Sequence, residues 1–356
     1  MNVRGARVVG AGLIGPSIAL RLKEIGWRVD LSDSNPTAQK LAQDLLGESN
    51  SPGAIDSRAI EFVIVATPPD QVIPTLLTEK KQNSQAIFID VSSTKTNTQR
   101  AIDTFPELRV KFVGTHPIAG REQSGAGAAR SDLFIGRAWI LTPSPSVSES
   151  DVKSVESFIT ALGSTPYRMD PKEHDRLFAR ISHLPQILST ALAGSVAKLG
   201  NQVDLSGQGL RDMLRLAGSN GELWSEILIS NRDEVLKALD EMKALLNNFS
   251  KVLEVNDERA ILELFRTGNL VQSSLSGKHG GKPRDYTHLS VVIEDKPGQL
   301  GALFKECAEV DGNVEDLSLE HSPNQETGLI RLALSKDDAS KLEAHLLKSG
   351  CKVHRH

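Results

Sequence analysis

The residues of this chain best suited to acid–base chemistry lie in two segments of its first half. One is Asp90–Lys95 and the other surrounds His116, and each comes directly after a strand-like apolar run. His116 is the strongest acid–base candidate because the ordinary pKa of imidazole lies near neutral pH. The alternative is a solvated loop histidine. Because ligands bind beyond the carboxyl ends of parallel strands, we expect both segments to border one site.

A glycine pattern typical of dinucleotide sites follows the first apolar run. Gly10, Gly12 and Gly15 have the spacing G-x-G-x-x-G, and Leu13 and Ile14 complete the loop. The three glycines allow a tight turn, a close approach of the backbone to a pyrophosphate, and close packing of helix on strand. The N-terminus of the next helix offers N–H groups to phosphates. We therefore predict a dinucleotide site here, against the alternative of an ordinary glycine-rich turn.

Two further segments indicate which dinucleotide binds. Asp33 ends the second strand-like run, where a carboxylate can accept hydrogen bonds from the adenosine ribose, unless it is simply solvated. No arginine follows it to neutralise a 2′-phosphate, which favours NAD over NADP. Ala66, Thr67 and Pro68 follow the third run, where they could contact the nicotinamide side. His354 and His356 have no metal-ligand spacing around them and are interpreted as a solvated tail, so we predict NAD as the cofactor and no metal.

The elements that must position these residues follow a simple order. Short apolar strands alternate with helices over residues 1–170, which predicts an α/β domain with a Rossmann-like, doubly wound sheet. Only helices follow over 171–271, where a long striped helix could pair across a homodimer. Residues 272–285 are rich in Ser, Gly and Lys and predict a linker. Residues 286–356 have the order β-α-β-β-α with a short final strand, which is ferredoxin-like.

Composition excludes several classes of function. The chain has 356 residues, and 41 Lys and Arg stand against 45 Asp and Glu, so the net charge of −4 argues against a nucleic-acid or membrane-surface partner. Aromatic residues make up only 4%, too few for a base-stacking platform. No apolar run approaches the roughly 20 residues that span a bilayer. Two cysteines and the absence of a signal peptide indicate a cytoplasmic protein.

Together these motifs resemble those of the prephenate/arogenate dehydrogenase family of tyrosine biosynthesis. The resemblance covers about residues 6–265. The motifs that carry it are 10–15, 90–95, 116–125, 182–185 and 209–215, with Trp224 and Asn231-Arg232. It implies NAD-dependent oxidative decarboxylation of prephenate to 4-hydroxyphenylpyruvate, or of arogenate to tyrosine.

The resemblance also implies roles for individual residues. His116 would bond the ring hydroxyl of the substrate and assist removal of its proton, and Ser93 would bond the same hydroxyl. Arg215 would anchor a substrate carboxylate through its planar fork of donors. Further substrate-binding candidates in or beside the matching motifs are His183, Gln186, Asp212 and Glu122.

One departure from the family pattern leaves the substrate open. Many members specific for prephenate have the motif His-x-x-His, whereas here His183 is followed by Gln186 at the second position. Glutamine donates and accepts hydrogen bonds but carries no charge, so its contacts with the substrate side chain could differ. Prephenate and arogenate differ in that side chain, and both stay candidates.

The C-terminal segment resembles an ACT domain, which some family members carry as a regulatory unit. The candidate effector site is Asp295, Pro297, Gly298 and Leu300, and the resemblance implies an aromatic amino acid such as tyrosine. A domain that serves only assembly is the alternative. The helix beginning near Gly298 is expected to turn Leu300, Leu303, Phe304 and Cys307 towards the core.

Two rival functions remain at this stage. A β-hydroxyacid dehydrogenase would share the sheet and helices, and Lys198 faintly matches its helical lysine, but that class lacks the motif at His116. A noncatalytic sensor of NAD and an amino acid would also use both ligand modules. The presence of His116, Ser93 and Arg215 argues against it.

Overall fold

The computed structural model describes residues 4–47, 59–120, 125–274, 286–294, 296–321 and 327–355, with only the backbone described at 320 and 321. The chain divides into two compact units, Met1–Leu246 and Asn247–His356. Our domain boundaries at 170, 271 and 285 stay predictions. Among the described residues, no helix has the length and apolar character needed to cross a membrane.

The first unit contains a seven-stranded sheet. Its strands are β1 (Gly5–Val9), β2 (Arg28–Ser32), β3 (Ile60–Val65), β4 (Ile87–Asp90), β5 (Phe112–Pro117), β6 (Ala138–Pro143) and β7 (Thr165–Arg168). The spatial order is β2-β1-β3-β4-β5-β6-β7. Pairing is parallel from β2 through β5, and β6 runs antiparallel to β5. The carboxyl ends of β1, β3, β4 and β5 therefore meet at one edge.

Both faces of this sheet are buried, which explains the continuous apolar runs of its strands. Along β3, Phe62 and Ile64 belong to one core cluster, whereas Val63 and Val65 belong to another. Alternate side chains of a strand point to opposite faces, so covering both faces removes the alternation of polar and apolar residues. The helices of this region are α1 (Ile14–Glu24), α2 (Pro36–Leu45), α3 (Val72–Gln82), α4 (Thr96–Ile102), α5 (Pro106–Arg109) and α6 (Glu149–Ala161).

Helices follow the sheet, as predicted, but the first is interrupted. The sequence suggests continuous helix over 171–198, whereas α7 (Pro171–Phe178) passes through a π-helical turn, Ala179–His183, into α8 (Leu184–Val196). Pro185 lacks an N–H group and cannot continue the regular pattern of helix hydrogen bonds across this point. The helices that follow are α9 (Gln208–Leu214), α10 (Gly221–Ser230) and α11 (Arg232–Glu254).

The second unit contains the predicted small antiparallel sheet. After α12 (Glu258–Ser274) come β8 (Thr287–Glu294), α13 (Gln299–Glu309), β9 (Val314–His321), β10 (Thr327–Leu334), α14 (Lys336–Lys348) and β11 (Lys352–Arg355). The strand order is β11-β8-β10-β9. This arrangement confirms the α+β prediction, although α12 extends three residues into the segment predicted as linker.

One prediction for α13 is half wrong. Leu303 and Cys307 are buried against the sheet, but Leu300 and Phe304 are 37% and 43% exposed. Residues four apart share a helix face, so 303 and 307 form one stripe and 300 and 304 form a neighbouring one. Only the first stripe packs fully into the core of this unit.

Candidate active site

The glycine loop after β1 has the geometry that a dinucleotide needs. Gly10 has a φ of +117°, and a Cβ there would lie 2.3 Å from the carbonyl oxygen of Ala66. A Cβ at Gly15 would lie 2.0 Å from the carbonyl oxygen of Gly10. Gly12, by contrast, is exposed and has no atom within 4 Å of its Cβ position among the described residues. The loop is thus closed on the protein side and open on the side where a pyrophosphate would lie.

Polar groups beside this loop also fit a dinucleotide. No described side chain caps the N-terminus of α1 at Leu13 and Ile14, so its N–H groups can face phosphates. Asp33 accepts a hydrogen bond from the backbone of Ala11 at 2.6 Å, which holds its carboxylate beside the loop. The hydroxyl oxygen of Thr67 is buried and has no hydrogen-bond partner within the described part of the chain. A bound nicotinamide could supply that partner.

A buried ion pair fixes the segment after β4. Asp90 and Lys95 are 0% and 1% exposed, and the Lys95 Nζ lies 2.5 Å from Asp90 Oδ2. The ammonium also donates to the carbonyl oxygen of Thr115 on β5 at 2.6 Å. Burial lowers the pKa of Lys95, while Asp90 acts to raise it. The pair therefore ties the loop that carries Ser93 to the strand that carries His116.

His116 lies within β5, not after the strand as the sequence suggests. Pairing with β6 extends β5 to Pro117, and His116 is opposite Ile140. Its ring is half-buried, and the Phe178 ring lies 4.9 Å away between centroids. Burial lowers the pKa of His116 well below its ordinary value, and the nearby His174, Lys95 and His183 lower it further. A neutral imidazole therefore stands at the edge of the sheet where the glycine loop ends.

The sequence analysis missed two residues, one of which contacts this imidazole directly and the other through the first. His174 Nε2 lies 2.9 Å from His116 Nδ1, and His174 Nδ1 lies 2.9 Å from Asp175 Oδ1. Asp175 also accepts from the backbone N–H groups of Lys95 at 2.9 Å and Thr96 at 2.8 Å. In the sequence, both sit in a charged stretch typical of a solvated helix face. The available signal was an adjacent His-Asp pair in the first turns of a helix.

His183 is connected to the same network through Asn231. It is almost fully buried, and burial lowers its pKa to about 4. Asn231 Nδ2 donates to the backbone carbonyl oxygen of Asp175 at 2.8 Å and lies 3.2 Å from His183 Nδ1. The Trp224 ring meets the imidazole edge-on at 6.0 Å. His183 is therefore held close to the centre of the site, where the π-helical turn ends.

Gln186 and Arg215 are connected through the backbone. The Gln186 side chain is buried and donates to the carbonyl oxygen of Leu216 at 2.8 Å. Ser189 donates to the carbonyl oxygen of Met213 at 2.6 Å. Helix α8 thus holds the turn in which Arg215, itself exposed, begins a short 3-10 segment. The roles of Gln186 and Arg215 in substrate binding stay predictions.

The remaining candidates are less closely tied to this centre. Ser93 is half-buried and makes no hydrogen bond with the described residues, so its hydroxyl is available to a ligand. Asp212 is exposed and accepts from Gln208 Nε2 at 2.8 Å. Glu122 lies outside the described residues.

The candidate effector residues belong to the second unit. Pro297, Gly298 and Leu300 are exposed at the start of α13, where Gly298 has a φ of +90°. Asp295 lies outside the described residues. An effector site in this turn stays a prediction.

Comparison with known families decides what kind of protein this is. Residues 18–167 match the family model "Prephenate dehydrogenase, nucleotide-binding domain". Residues 170–267 match "Prephenate dehydrogenase, dimerization domain". The chain belongs to the prephenate dehydrogenase family. It is therefore an NAD-dependent oxidoreductase, and the predictions of family, fold class and cofactor are confirmed.

Other members of the prephenate dehydrogenase family resemble this one over most of its length. A prephenate dehydrogenase of Bacillus subtilis (strain 168) is 28% identical over 355 residues, which cover 94% of this chain and 93% of that protein. The structure of Aquifex aeolicus prephenate dehydrogenase with hydroxyphenyl propionate and NAD+ has a TM-score of 0.69 at 26% identity, covering 78% of this chain and 99% of that one. A Synechocystis arogenate dehydrogenase has a TM-score of 0.65 at 26% identity, covering 75% and 98%.

Proposed function

We propose that this chain oxidises and decarboxylates prephenate to 4-hydroxyphenylpyruvate with NAD as the oxidant. The observation that carries the proposal is the position of a half-buried His116, whose pKa is lowered by burial, at the same sheet edge as the Gly10–Gly15 loop. Parallel pairing of β1, β3, β4 and β5 brings these segments to that edge. The relatives named prephenate dehydrogenase support the choice of substrate.

The chemistry asks little of the protein beyond orientation and a proton acceptor. NAD+, when bound, accepts the hydride that leaves the ring carbon bearing the hydroxyl. His116 accepts a hydrogen bond from that hydroxyl and so stabilises the positive charge that grows on the carbon. The bond to the ring carboxylate breaks, its electron pair completes the aromatic ring, and carbon dioxide leaves. The phenol product keeps its hydroxyl proton, so His116 only shares that proton and returns it.

Two further residues would orient the substrate. Ser93 would bond the ring hydroxyl beside His116, since the Asp90–Lys95 pair fixes its loop against β5. Arg215 would hold a carboxylate, for which a guanidinium offers two parallel donors. Because aromatisation drives the reaction, correct placement of the ring supplies much of the catalysis.

Arogenate is a second candidate substrate because of Gln186. This glutamine occupies the position at which many prephenate-specific members have histidine, and its amide holds the turn after α9 at Leu216. By positioning that turn, the uncharged Gln186 side chain would influence which contacts the substrate side chain makes. The similarity to an arogenate dehydrogenase of Synechocystis is consistent with this alternative.

A direct comparison of the two substrates tests both candidates. The purified full chain is mixed with NAD+ and either prephenate or arogenate, and NADH formation is followed, with the His116→Asn variant as the control. Faster turnover of prephenate supports the main proposal, and faster turnover of arogenate supports the second. If neither prephenate nor arogenate yields NADH in protein that binds NAD+, both candidates are contradicted.

We infer that the protein is a homodimer. The match to a dimerisation domain over residues 170–267 supports this inference. Large apolar side chains also remain exposed along α12, namely Leu262, Phe265, Leu270 and Val271. Burial of such a surface between two copies would remove apolar area from water.

We also propose that residues 286–356 form an ACT-like domain that binds an aromatic amino acid, with tyrosine as the first candidate. The β-α-β-β-α-β order supports the domain type. The turn at Pro297 and Gly298 precedes a helix whose N-terminus no described side chain caps, which suits a carboxylate. Adding tyrosine to the assay above distinguishes regulation from a role in assembly alone, because only regulation changes the rate.

A further inference from the structure

We propose that His174 and Asp175 form a positioning relay that fixes the tautomer of His116, with Nδ1 protonated and Nε2 left as an acceptor for the substrate. The relay consists of two contacts of 2.9 Å in series, from His116 to His174 and from His174 to Asp175. The use of Nε2 towards a substrate rests on the proposed function. The relay itself concerns only the residues of this chain.

The tautomer follows from a count of donors and acceptors. An ionised carboxylate only accepts, so His174 Nδ1 must carry the hydrogen that it shares with Asp175. A neutral imidazole has one N–H group, so His174 Nε2 is an acceptor. His116 Nδ1 must then donate across the 2.9 Å contact. The lone pair of a neutral His116 is therefore on Nε2.

The far end of the relay is firmly anchored. Both carboxylate oxygens of Asp175 accept backbone hydrogen bonds, one from Lys95 and the other from Thr96. Its carbonyl oxygen accepts from Asn231 at 2.8 Å. The His174 ring is fully buried and stacks on Phe178 at 4.4 Å between centroids. These hydrogen bonds thus link α7 to the loop after β4, which also carries Ser93.

The charges around the relay keep its imidazoles neutral and its carboxylate ionised. Burial lowers the pKa of His174, and Lys95 lowers it further, although Asp175 and Asp90 act to raise it. Burial acts to raise the pKa of Asp175, but hydrogen bonds from His174 and from the backbone of Lys95 and Thr96 outweigh burial and lower it. His183 also faces both other imidazoles. Positive charge that His116 gains from a shared proton can therefore be stabilised by Asp175 through His174.

The tautomer of His116 can be observed without any substrate. The full chain is labelled with ¹⁵N at histidine, and the ring nitrogens are read by NMR near neutral pH. The His116 signals are assigned by their loss in His116→Asn. We expect a proton on Nδ1 and none on Nε2. The opposite tautomer in the unsubstituted protein would overturn the relay even if the enzyme turns over prephenate.

Variants at His174 then separate a relay from simple packing. His174→Phe keeps a ring but loses both nitrogens, and we expect kcat to fall about 10- to 100-fold, part of the 10²–10⁴ that acid–base help contributes. His174→Gln keeps an acceptor towards His116 and should restore most of that loss. Phe178→Leu is the matched control, because Phe178 contacts both rings and makes no relay hydrogen bond. KM for the substrate should change little in all three.

These outcomes decide the inference in either direction. Equal losses of kcat in His174→Phe and Phe178→Leu, or no recovery in His174→Gln, would show that packing alone matters and would overturn the relay. Retention of the Nδ1–H tautomer of His116 in His174→Phe would do the same. If the unsubstituted protein oxidises neither substrate, the proposed function fails, and the NMR result still decides the relay.

Discussion

At the scale of single residues, the site is a set of imidazoles kept neutral by burial. His116, His174 and His183 all have a lowered pKa, and burial is the largest cause for each. Lys95 adds a nearby positive charge that acts in the same direction on His116 and His174. A neutral imidazole can accept a proton at and below neutral pH, which suits the role that we propose for His116.

Replacement of His116 by asparagine tests that role. We expect His116→Asn to reduce kcat by about 10²–10⁴, the usual contribution of acid–base help, because the amide of asparagine is a much weaker proton acceptor than an imidazole. Binding of NAD+ should be unchanged, since the glycine loop is untouched, and titration of the cofactor provides that control. Turnover close to that of the unsubstituted protein would remove His116 from the mechanism.

Burial of His183 predicts a dependence of stability on pH. Its pKa is lowered from 6.5 to about 4 in the folded chain, so below pH 6.5 the unfolded chain binds a proton that the folded chain does not. The free energy of unfolding is therefore highest above this range and falls as the pH drops towards 4. From about pH 7 to about pH 5, His183 should account for a loss of about 2 kcal/mol.

Urea unfolding of His183→Asn checks this value. The variant lacks the titrating group, so its stability should fall less than that of the unsubstituted protein over the same interval, by about the amount assigned to His183. Identical pH dependence in the two proteins would mean that His183 is not buried in its neutral form.

At the scale of elements, local patterns predicted the nucleotide loop but not the strand that carries His116. Gly10, Gly12 and Gly15 act within one β-α unit, so their spacing alone indicates their purpose. The extension of β5 through His116 depends instead on β6, which pairs with it from more than twenty residues further along the chain. A window of sequence around His116 does not contain that information.

The relay was hidden for a similar reason. His174 and Asp175 are consecutive, so they do not mark a face of α7 by helical periodicity, and their partners come from β5 and the loop after β4. The interruption near Pro185 was not predicted, although proline removes a helix hydrogen bond. The sequence could thus nominate His116 as the acid–base candidate, whereas the contacts that His174 and Asp175 make around it required the fold.

Two glycines of the same loop should respond differently to alanine. Gly12→Ala has space for its Cβ, so the protein should fold normally but bind NAD+ at least about 10-fold more weakly, because the methyl group would occupy the pyrophosphate side. Gly10→Ala should instead lower the free energy of unfolding by at least about 2 kcal/mol, since its φ is +117° and its Cβ would meet backbone.

Cofactor titration and thermal unfolding of both variants measure these effects. Gly301→Ala is the matched control, because Gly301 lies in α13 with equally open space around its Cβ position. It should leave NAD+ affinity unchanged. Undiminished affinity in Gly12→Ala would place the pyrophosphate elsewhere.

At the scale of the whole molecule, sequence patterns predicted the classes of structure along the chain better than the detailed faces of its helices. The parallel sheet, the helical region and the small antiparallel sheet all occur in the expected order. The exposure of Leu300 and Phe304 on α13 was not foreseen. Apolar residues at helical spacing predict a buried face, but the choice between two adjacent stripes depends on which one meets the sheet.

The exposed apolar residues of α12 lead to a prediction about assembly. The full chain should have a mass in solution of about 77 kDa, twice the 38.6 kDa of one copy. Phe265 is 62% exposed, and Phe265→Glu should shift the mass towards that of a single copy, because a carboxylate is costly to bury in an apolar interface. Light scattering after gel filtration gives both values.

Gln272→Glu provides a matched control for the added charge. Gln272 is an exposed polar residue of the same helix, so this variant should stay dimeric. A single-copy mass for the unsubstituted protein would contradict the homodimer.

The most direct test of the central claim is a crystal structure of the chain with NAD+ and hydroxyphenyl propionate. The quantity to measure is the distance from His116 Nε2 to the ring hydroxyl oxygen. We expect a hydrogen bond of about 2.6–3.2 Å, with the nicotinamide stacked over the carbon that bears this hydroxyl. A bound ring whose hydroxyl lies far from His116, with the dinucleotide in place, would contradict the account.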